Sequence, residues 1–585
     1  MPPKRSTAFI AACSLLGIFV FLRAPTDWRT APDVQSFTGT VVDRDTIRWD
    51  QIPPSKKLVW QNCAAGRQCA RLTVPLNHSN PEGDDAVIAL VRVPSAFSKD
   101  PQRYRGPILI NPGGPGGSGV DMVLGPTGNS LSTIVGPQFD VVGFDPRGIG
   151  RSTPRISFFK TDAERALWDF AAGAVVNNSD EGVARTWARG QVIGQLAAGT
   201  DDGYLKHMNT DQTARDMLSI VEAHGRSKLQ FWGFSYGTIL GATFASMFPD
   251  KIERMVIDGV ADAEDYYSDR FSTSLIDTDK VLNSFFTGCF EAGPEICQFW
   301  APSADDIQKN LTTLFESVRS RPVPVKFGST YGILDYSKLR VTVFQSLYAP
   351  FRMFPILAQG LAELAAGDGN TLFSLFRAPP FECACDQKAP TFGIVEDASL
   401  ALLCNDGEVV PSDLSSAEEH LERMMKVSQW GEVWSAIRIN CAGWPKLPKA
   451  RFRGPFEAKT SHPILLIGNT ADPVTPLWAA KNMSRGFEGS VVLQQNSSGH
   501  CSVSAPSVCT QLYVRKYFED GTLPPAGTVC EVVGKPFPDS VSTLSSGTTT
   551  GNDQAVFMSS MTAEERELYA AVLELTQTLM VHFPL

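Results

Sequence analysis

LQFWGFSYGTILGATFASMF, residues 229–248, sets one serine between two glycines where two patterns meet. Before Ser235 runs LQFWG, apolar and rich in β-formers. After it runs ILGATFASMF, small residues compatible with a helix. G-x-S-x-G between a strand and a helix is the pattern of a nucleophile elbow, a strained turn that lifts a serine hydroxyl clear of the backbone. The glycines two before and two after, Gly233 and Gly237, leave room for the neighbouring strand and helix. The bland alternative is an ordinary tight turn, since the bare motif also arises by accident.

The flanking sequence extends the strand–helix pattern in both directions. Strands are expected at Val87–Val93, Pro107–Ile110, Phe139–Phe144, Leu229–Gly233 and Arg254–Asp258. Two more follow at Pro463–Gly468 and Ser490–Gln494. Several are near-continuous apolar runs, as in strands covered on both faces. TARDMLSIVEAHG, from Thr213 to Gly225, carries Met217, Ile220 and Val221 on one side and ends in a glycine stop. Strands alternating with helices predict an α/β fold with a mostly parallel sheet. The alternation breaks at residues 262–459, a segment of helical patterns, aromatics, prolines and six cysteines with no matching strand series. That break reads as a large, mainly helical cap inserted into the sheet domain. Near the end, STLSSGTTTGND reads as a linker. Thr562 and Glu565 then form a capping box before a helix with Leu568, Val572, Leu575 and Leu579 on one stripe. That helix is expected to dock on the body.

With 43% hydrophobic and 19% charged residues, the 585-residue chain can bury a sizeable core. A net charge of -10 argues against a nucleic-acid binder, because binding phosphates needs a basic face. Lys4 and Arg5 precede an apolar run from Ala8 to Leu22, the pattern of a secretory signal. The run is short for a membrane span, which takes about 20 apolar residues. No clean cleavage site follows, so a cleaved signal peptide and a retained anchor both stand. Twelve cysteines suit an oxidising compartment. Close pairs such as Cys63/Cys69 and Cys289/Cys297 suit small loops. Discounting Cys13 in the targeting run leaves an odd number, so at least one thiol is free or pairs with another chain. Cys383-Ala-Cys385 lacks a second ligand pair at zinc spacing, so no metal is expected. Sequons at Asn77, Asn177, Asn310, Asn482 and Asn496 are candidate N-glycosylation sites, with chance occurrence as the competing reading.

A serine needs a base, and the base needs an orienting carboxylate. His500, in the glycine-flanked NSSGHCS after the last expected strand, is the candidate base. Asp472, in GNTADPVTP just after PILLIG, is the candidate acid. Taken singly, His500 reads as a surface loop residue and Asp472 as a turn former before Pro473. Jointly, serine, acid and histidine fall in one order at strand ends. The oxyanion of an acyl-transfer intermediate needs fixed N–H donors. One is expected from Tyr236, directly after the serine, the other from NPGGPGGSG, residues 111–119. That loop lacks the lysine of a phosphate cradle. DPRGIGRS, residues 145–152, reads as a supporting turn, with Arg147 an ion-pair anchor.

GGPGGSG, DPRGIGRS, GFSYGT, DPVTP and GHC, in this order, resemble the α/β-hydrolase serine aminopeptidases of the prolyl and tripeptidyl aminopeptidase group. The likeness is strongest to the secreted tripeptidyl branch. It extends to CARLTVPLNHSNP, MVIDGVAD and YFEDGTLPPAGTVC, roughly residues 60–530. The resemblance implies the α/β-hydrolase fold, Ser235, Asp472 and His500 as a triad, and Gly114 with Tyr236 at the oxyanion hole. It also implies a Cys509–Cys530 pair. Asn111-Pro112 stands where many relatives have a histidine, a departure that bears on the pocket and not on the backbone donor. The expected organisation is 1–24 signal peptide or anchor, 25–55 linker, 56–261 first half of the hydrolase core and 262–459 cap. It continues with 460–540 as the second half, 541–561 linker and 562–585 terminal helix.

By this resemblance the protein is a serine hydrolase of the secretory pathway that releases short peptides or amino acids from free N-termini. Its partners are a short peptide or small acyl substrate, with no nucleic acid, no cofactor, and membrane only through an uncleaved anchor. Holding a substrate ammonium takes a carboxylate, and Asp406 and Glu382 are candidates beside the bland reading of solvated or capping acids. The rivals are an esterase or thioesterase acting on a small metabolite, and a catalytically silent hydrolase fold used for binding.

Overall fold

The computed structural model describes residues 47–170, 175–176, 178–328, 330–376, 396–448, 451–538 and 559–578. The targeting segment, most of both linkers, Asn177, Glu382, Cys383 and Cys385 lie outside them. Ten strands form one sheet: β1 (Gln61–Ala64), β2 (Arg67–Pro75), β3 (Asp85–Val93), β4 (Gly106–Asn111), β5 (Phe139–Phe144), β6 (Leu229–Phe234), β7 (Ile252–Asp258), then β10 (Leu465–Ala471), β11 (Val491–Ser498) and β12 (Val529–Glu531). Their order is β1-β2-β3-β5-β4-β6-β7-β10-β11-β12. The first three strands run antiparallel to one another, and β3 to β5. From β5 across to β12 every pairing is parallel. All seven expected strands are present. β1, β2 and β12 were not expected: β1 and β12 are short, and the alternating burial of β2 is a weaker signal than a continuous apolar run.

β4, β5 and β6 are buried along their whole length, which is why they read as unbroken apolar runs. Helices cover both faces. Thr210–Ala223 and Tyr236–Met247 pack with Leu72, Leu109, Phe231 and Ile257. Pro126–Val135, Val508–Asp520 and the terminal helix Ala563–Thr578 pack with Ile108, Ile110, Val141 and Trp232. The capping box forms as expected: Thr562 N–H donates to Glu565 Oε2 at 2.7 Å and Glu565 N–H to Thr562 Oγ1 at 3.1 Å. Leu568, Val572 and Leu575 of its stripe are buried, and Ser130 donates to Glu574 at 2.6 Å. The expected linker through residue 55 ends earlier: Ile47, Trp49 and Ile52 are buried in this same layer. Three apolar residues scattered among polar ones gave no periodic signal.

Between β7 and β10 the described residues are mainly helical, from Ala263–Tyr267 to Ala436–Ile439. One exception is an antiparallel hairpin separate from the main sheet, β8 (Val323–Phe327) with β9 (Thr330–Leu334). Disulfides join Cys289 to Cys297 and Cys404 to Cys441 in this segment; others join Cys63 to Cys69 and Cys509 to Cys530. Among the described cysteines Cys501 alone is free, and it is buried. No helix among the described residues is long and apolar enough to cross a membrane.

The DPRGIGRS turn is built from buried charge. Arg147 Nη2 and Nε donate to the two Asp216 oxygens at 2.6 and 2.8 Å, and Nη1 donates to the Leu76 carbonyl at 2.5 Å. Removing Arg147 leaves buried Asp216 with only His78 Nε2, at 2.8 Å, as an ionisable partner, a loss approaching that of a broken buried pair, about 3–5 kcal/mol. Arg147→Ala is therefore expected to lower the urea-unfolding midpoint strongly. Arg48→Ala, which breaks the solvent-exposed Arg48–Asp50 pair, should leave it nearly unchanged.

Candidate active site

Parallel pairing places the strand ends that carry the candidate residues along one edge of the sheet. Asn111 at the end of β4 pairs with Gly233 of β6, and Phe234 pairs with Asp258 of β7. Asp258 pairs in turn with Ile467 of β10, and Ala471 with Ser498 of β11. Ser235, Asp472 and His500 follow these strands within one or two residues.

Ser235 has φ 56° and ψ -121°, a strained conformation for a residue with a side chain. The turn is that tight because strand and helix nearly touch. A Cβ at Gly233 would collide with the Gly237 carbonyl oxygen and the Phe231 ring, and one at Gly237 would lie 2.9 Å from the Asn111 carbonyl oxygen. The nucleophile-elbow geometry expected from the motif is thus present.

Asp472 and His500 are both buried. His500 Nδ1 lies 3.0 Å from each Asp472 oxygen. Two carboxylate oxygens facing Nδ1 make it the nitrogen that donates to Asp472, and Nε2 is the nitrogen turned away from the carboxylate. Asp472 is itself fixed: Oδ1 accepts from the N–H groups of Val474 and Thr475 at 3.0 and 2.9 Å, and Oδ2 from Cys501 N–H at 2.9 Å. Nε2 is buried with no hydrogen-bond partner among the described residues, so no such bond joins it to Ser235 Oγ. Hydrogen bonds to a nucleophile are commonly long without substrate and shorten when it binds.

Three further side chains hold the histidine, and sequence reading missed them. Thr475 Oγ1 lies 3.1 Å from Nδ1. Asn469 Nδ2 donates to the carbonyls of Gly499 and Cys501, both at 2.8 Å. Tyr348, from the inserted segment, accepts the His500 backbone N–H on its backbone carbonyl at 2.8 Å, and its ring meets the imidazole edge-to-face at 5.0 Å. Thr475 lies inside the quoted DPVTP and Asn469 two residues before Ala471, yet a threonine and an asparagine carry no motif of their own. Tyr348 is unreachable without the fold.

Gly114 and Tyr236 both line the cavity at Ser235. Tyr236 is the first residue of its helix, where backbone N–H groups have no intrahelical acceptor. In the glycine loop, Gly113 N–H donates to Asn111 Oδ1 at 3.0 Å. Ser118 of the same loop donates to Asp145 at 2.5 Å, so the DPRGIGRS turn braces the loop as expected. Ile239, Tyr266, Phe271, Leu403, Trp434 and Val474 give the cavity apolar walls.

Asp406 is placed differently from expectation. It is fully buried and does not line this cavity. It accepts from Thr210 N–H at 2.9 Å, Thr210 Oγ1 at 2.5 Å and Tyr266 OH at 3.0 Å, and Thr210 Oγ1 also bonds the Tyr236 hydroxyl. A carboxylate whose oxygens are used inside the protein is a brace, not an ammonium receptor. Of the sequons, Asn310 and Asn496 are exposed while Asn77 and Asn482 are half-buried. Asn496 donates to Glu531 at 2.9 Å and Asn482 to Asp262 at 3.4 Å. Among the described residues no group of three or more His, Cys, Asp or Glu is arranged to hold a metal ion.

Burial pushes the Asp406 carboxyl up to about 6 from an ordinary 3.8. The folded state then holds this proton more tightly than the unfolded chain. Its contribution to stability is full below pH 3.8 and is lost as the pH rises through about 6. Asp406→Asn is expected to flatten that part of the melting temperature's dependence on pH, read by thermal melts across the window.

A family profile described as "alpha/beta hydrolase fold" matches residues 106–285, and one described as "TAP-like protein" matches residues 426–530. The chain is 30% identical over 475 residues to serine protease Hip1 of Mycobacterium tuberculosis, covering 80% of this chain and 87% of that protein. It is 29% identical over 471 residues to carboxylesterase B of the same organism, covering 79% and 86%. To the tripeptidyl aminopeptidase of Streptomyces lividans it is 26% identical over 505 residues, covering 82% and 87%.

Proposed function

The chain belongs to the α/β-hydrolase family of serine hydrolases with a TAP-like carboxyl-terminal segment, and from that premise we propose that Ser235, His500 and Asp472 hydrolyse short peptides from a free amino terminus. The observation that carries the site assignment is the pairing of a strained Ser235 with a His500–Asp472 couple on the same sheet edge. The peptide assignment follows the relatives named serine protease and tripeptidyl aminopeptidase.

In this reading Ser235 Oγ attacks the carbonyl carbon of the substrate while its proton passes to His500 Nε2. Asp472 keeps the imidazole in the required tautomer and stabilises its charged form. The N–H groups of Gly114 and Tyr236 receive the negative charge that forms on the carbonyl oxygen. His500 then returns the proton to the leaving amine, and water resolves the acyl-enzyme by the same steps in reverse.

The segment between β7 and β10 serves as a lid: it supplies Tyr348 against His500, and Tyr266, Leu403 and Trp434 to the cavity wall. Such a cover over the serine favours chain ends over the middle of a long polypeptide. Four disulfides fit an oxidising compartment, which supports the secretory pathway read from the amino terminus. The relative named carboxylesterase B keeps ester hydrolysis as the second reading.

A fluorophosphonate probe is expected to label the wild type and not Ser235→Ala. Asp472→Asn should lower kcat by about 10⁴ through loss of the tautomer. Digestion of a peptide library, read by mass spectrometry, should release amino-terminal fragments and stop when the amino termini are acetylated. Turnover of N-blocked esters with no release from free peptides would favour the esterase reading.

A further inference from the structure

We propose that Asp258 is a positioning residue that ties the nucleophile turn to the histidine loop and so fixes the gap between Ser235 and His500. This assignment rests on the serine-hydrolase reading of those two residues. Asp258 ends β7, which lies between the strand leading to Ser235 and the strand leading to Asp472. It bonds in both directions. Its backbone carbonyl accepts the N–H of Ser235 at 3.0 Å. Its carboxylate accepts from Ser502, two residues after His500, through the N–H at 2.8 Å and the hydroxyl at 2.6 Å. The Cys501 thiol, between those two residues, lies 3.4 Å from the Asp258 carbonyl.

The next residue completes the tie. Gly259 has φ +66°, and a Cβ there would run into Cys501 Sγ. Its N–H donates to the Ile467 carbonyl at 3.0 Å, fastening the same corner to β10. The histidine loop therefore rests directly on the corner that also holds the serine.

The choice of a buried carboxylate is informative. Asp258 is completely buried, and burial raises its carboxyl to about 6. A neutral residue of the same shape avoids that penalty, but it gives up one acceptor. Asparagine keeps both links only with its Oδ1 on the Ser502 N–H and its NH₂ donating to the Ser502 oxygen, which reverses the second bond and weakens it; alanine removes both. Neither oxygen contacts His500, so the residue acts through Ser502.

The test uses the full chain, p-nitrophenyl acetate hydrolysis and the rate of fluorophosphonate labelling. Displacing a reacting group by about 1 Å can lower a rate about 10²-fold. Asp258→Ala and Ser502→Ala should each lower kcat and the labelling rate at least about tenfold, with KM within about twofold, because alignment is lost and binding is not. The double variant should be no slower than the slower single, since both act through one link. Ser502→Ala removes only a hydroxyl, so it carries the test if Asp258→Ala does not fold. Unchanged rates, a rise in KM alone, or losses that multiply would overturn the assignment. A wild type that fails to label would remove the hydrolase reading itself, an outcome distinct from a labelled wild type with unaltered variants.

Discussion

Parallel pairing from β5 to β12 is the constraint on which the site depends. In a parallel ladder every strand leaves at the same edge, so the residues that follow the strands are gathered there regardless of their separation in sequence. Ser235 and His500 lie on either side of a long, mainly helical insertion, yet β6 and β11 are separated in the sheet only by β7 and β10. The insertion begins after β7 and returns at β10, adjacent strands, so it interrupts the chain and not the ladder.

What was legible in the sequence follows from the same fact. Strands covered on both faces must be apolar throughout, and PILI, FDVVGF and LQFWG announce themselves for that reason. The elbow was legible because its two glycines answer to steric contacts within a few residues or with one neighbouring strand. Arg147 was read as an anchor and is one. Asp406 could not be placed, because its partners Thr210 and Tyr266 come from segments remote in the chain. Thr475, Asn469 and Tyr348 were missed for a related reason: ordinary residue types, their roles set by what folds against them.

Charge is buried around the site in an ordered way. Asp145 braces the glycine loop, Asp258 the histidine loop, and Asp406 the helix that starts at Thr210. Each is completely buried, each is pushed up to about 6 mainly by burial, and each accepts hydrogen bonds from serine or threonine hydroxyls. A carboxylate with several acceptor sites can hold a loop from one point, which a neutral side chain does less well.

Cys501 lies at the centre of this frame. Burial raises its thiol well above the usual range, so it is held in the unreactive protonated form. With four cystines among the described residues, a spare sulfhydryl at the surface would invite disulfide exchange; sealed beneath the histidine loop, Cys501 has no route to it. The same occlusion changes what alkylating reagents report. Iodoacetamide or a maleimide reaching Cys501 would be counting molecules whose histidine loop has already opened, so such modification is a clock for local unfolding and not a probe of the chemistry next door.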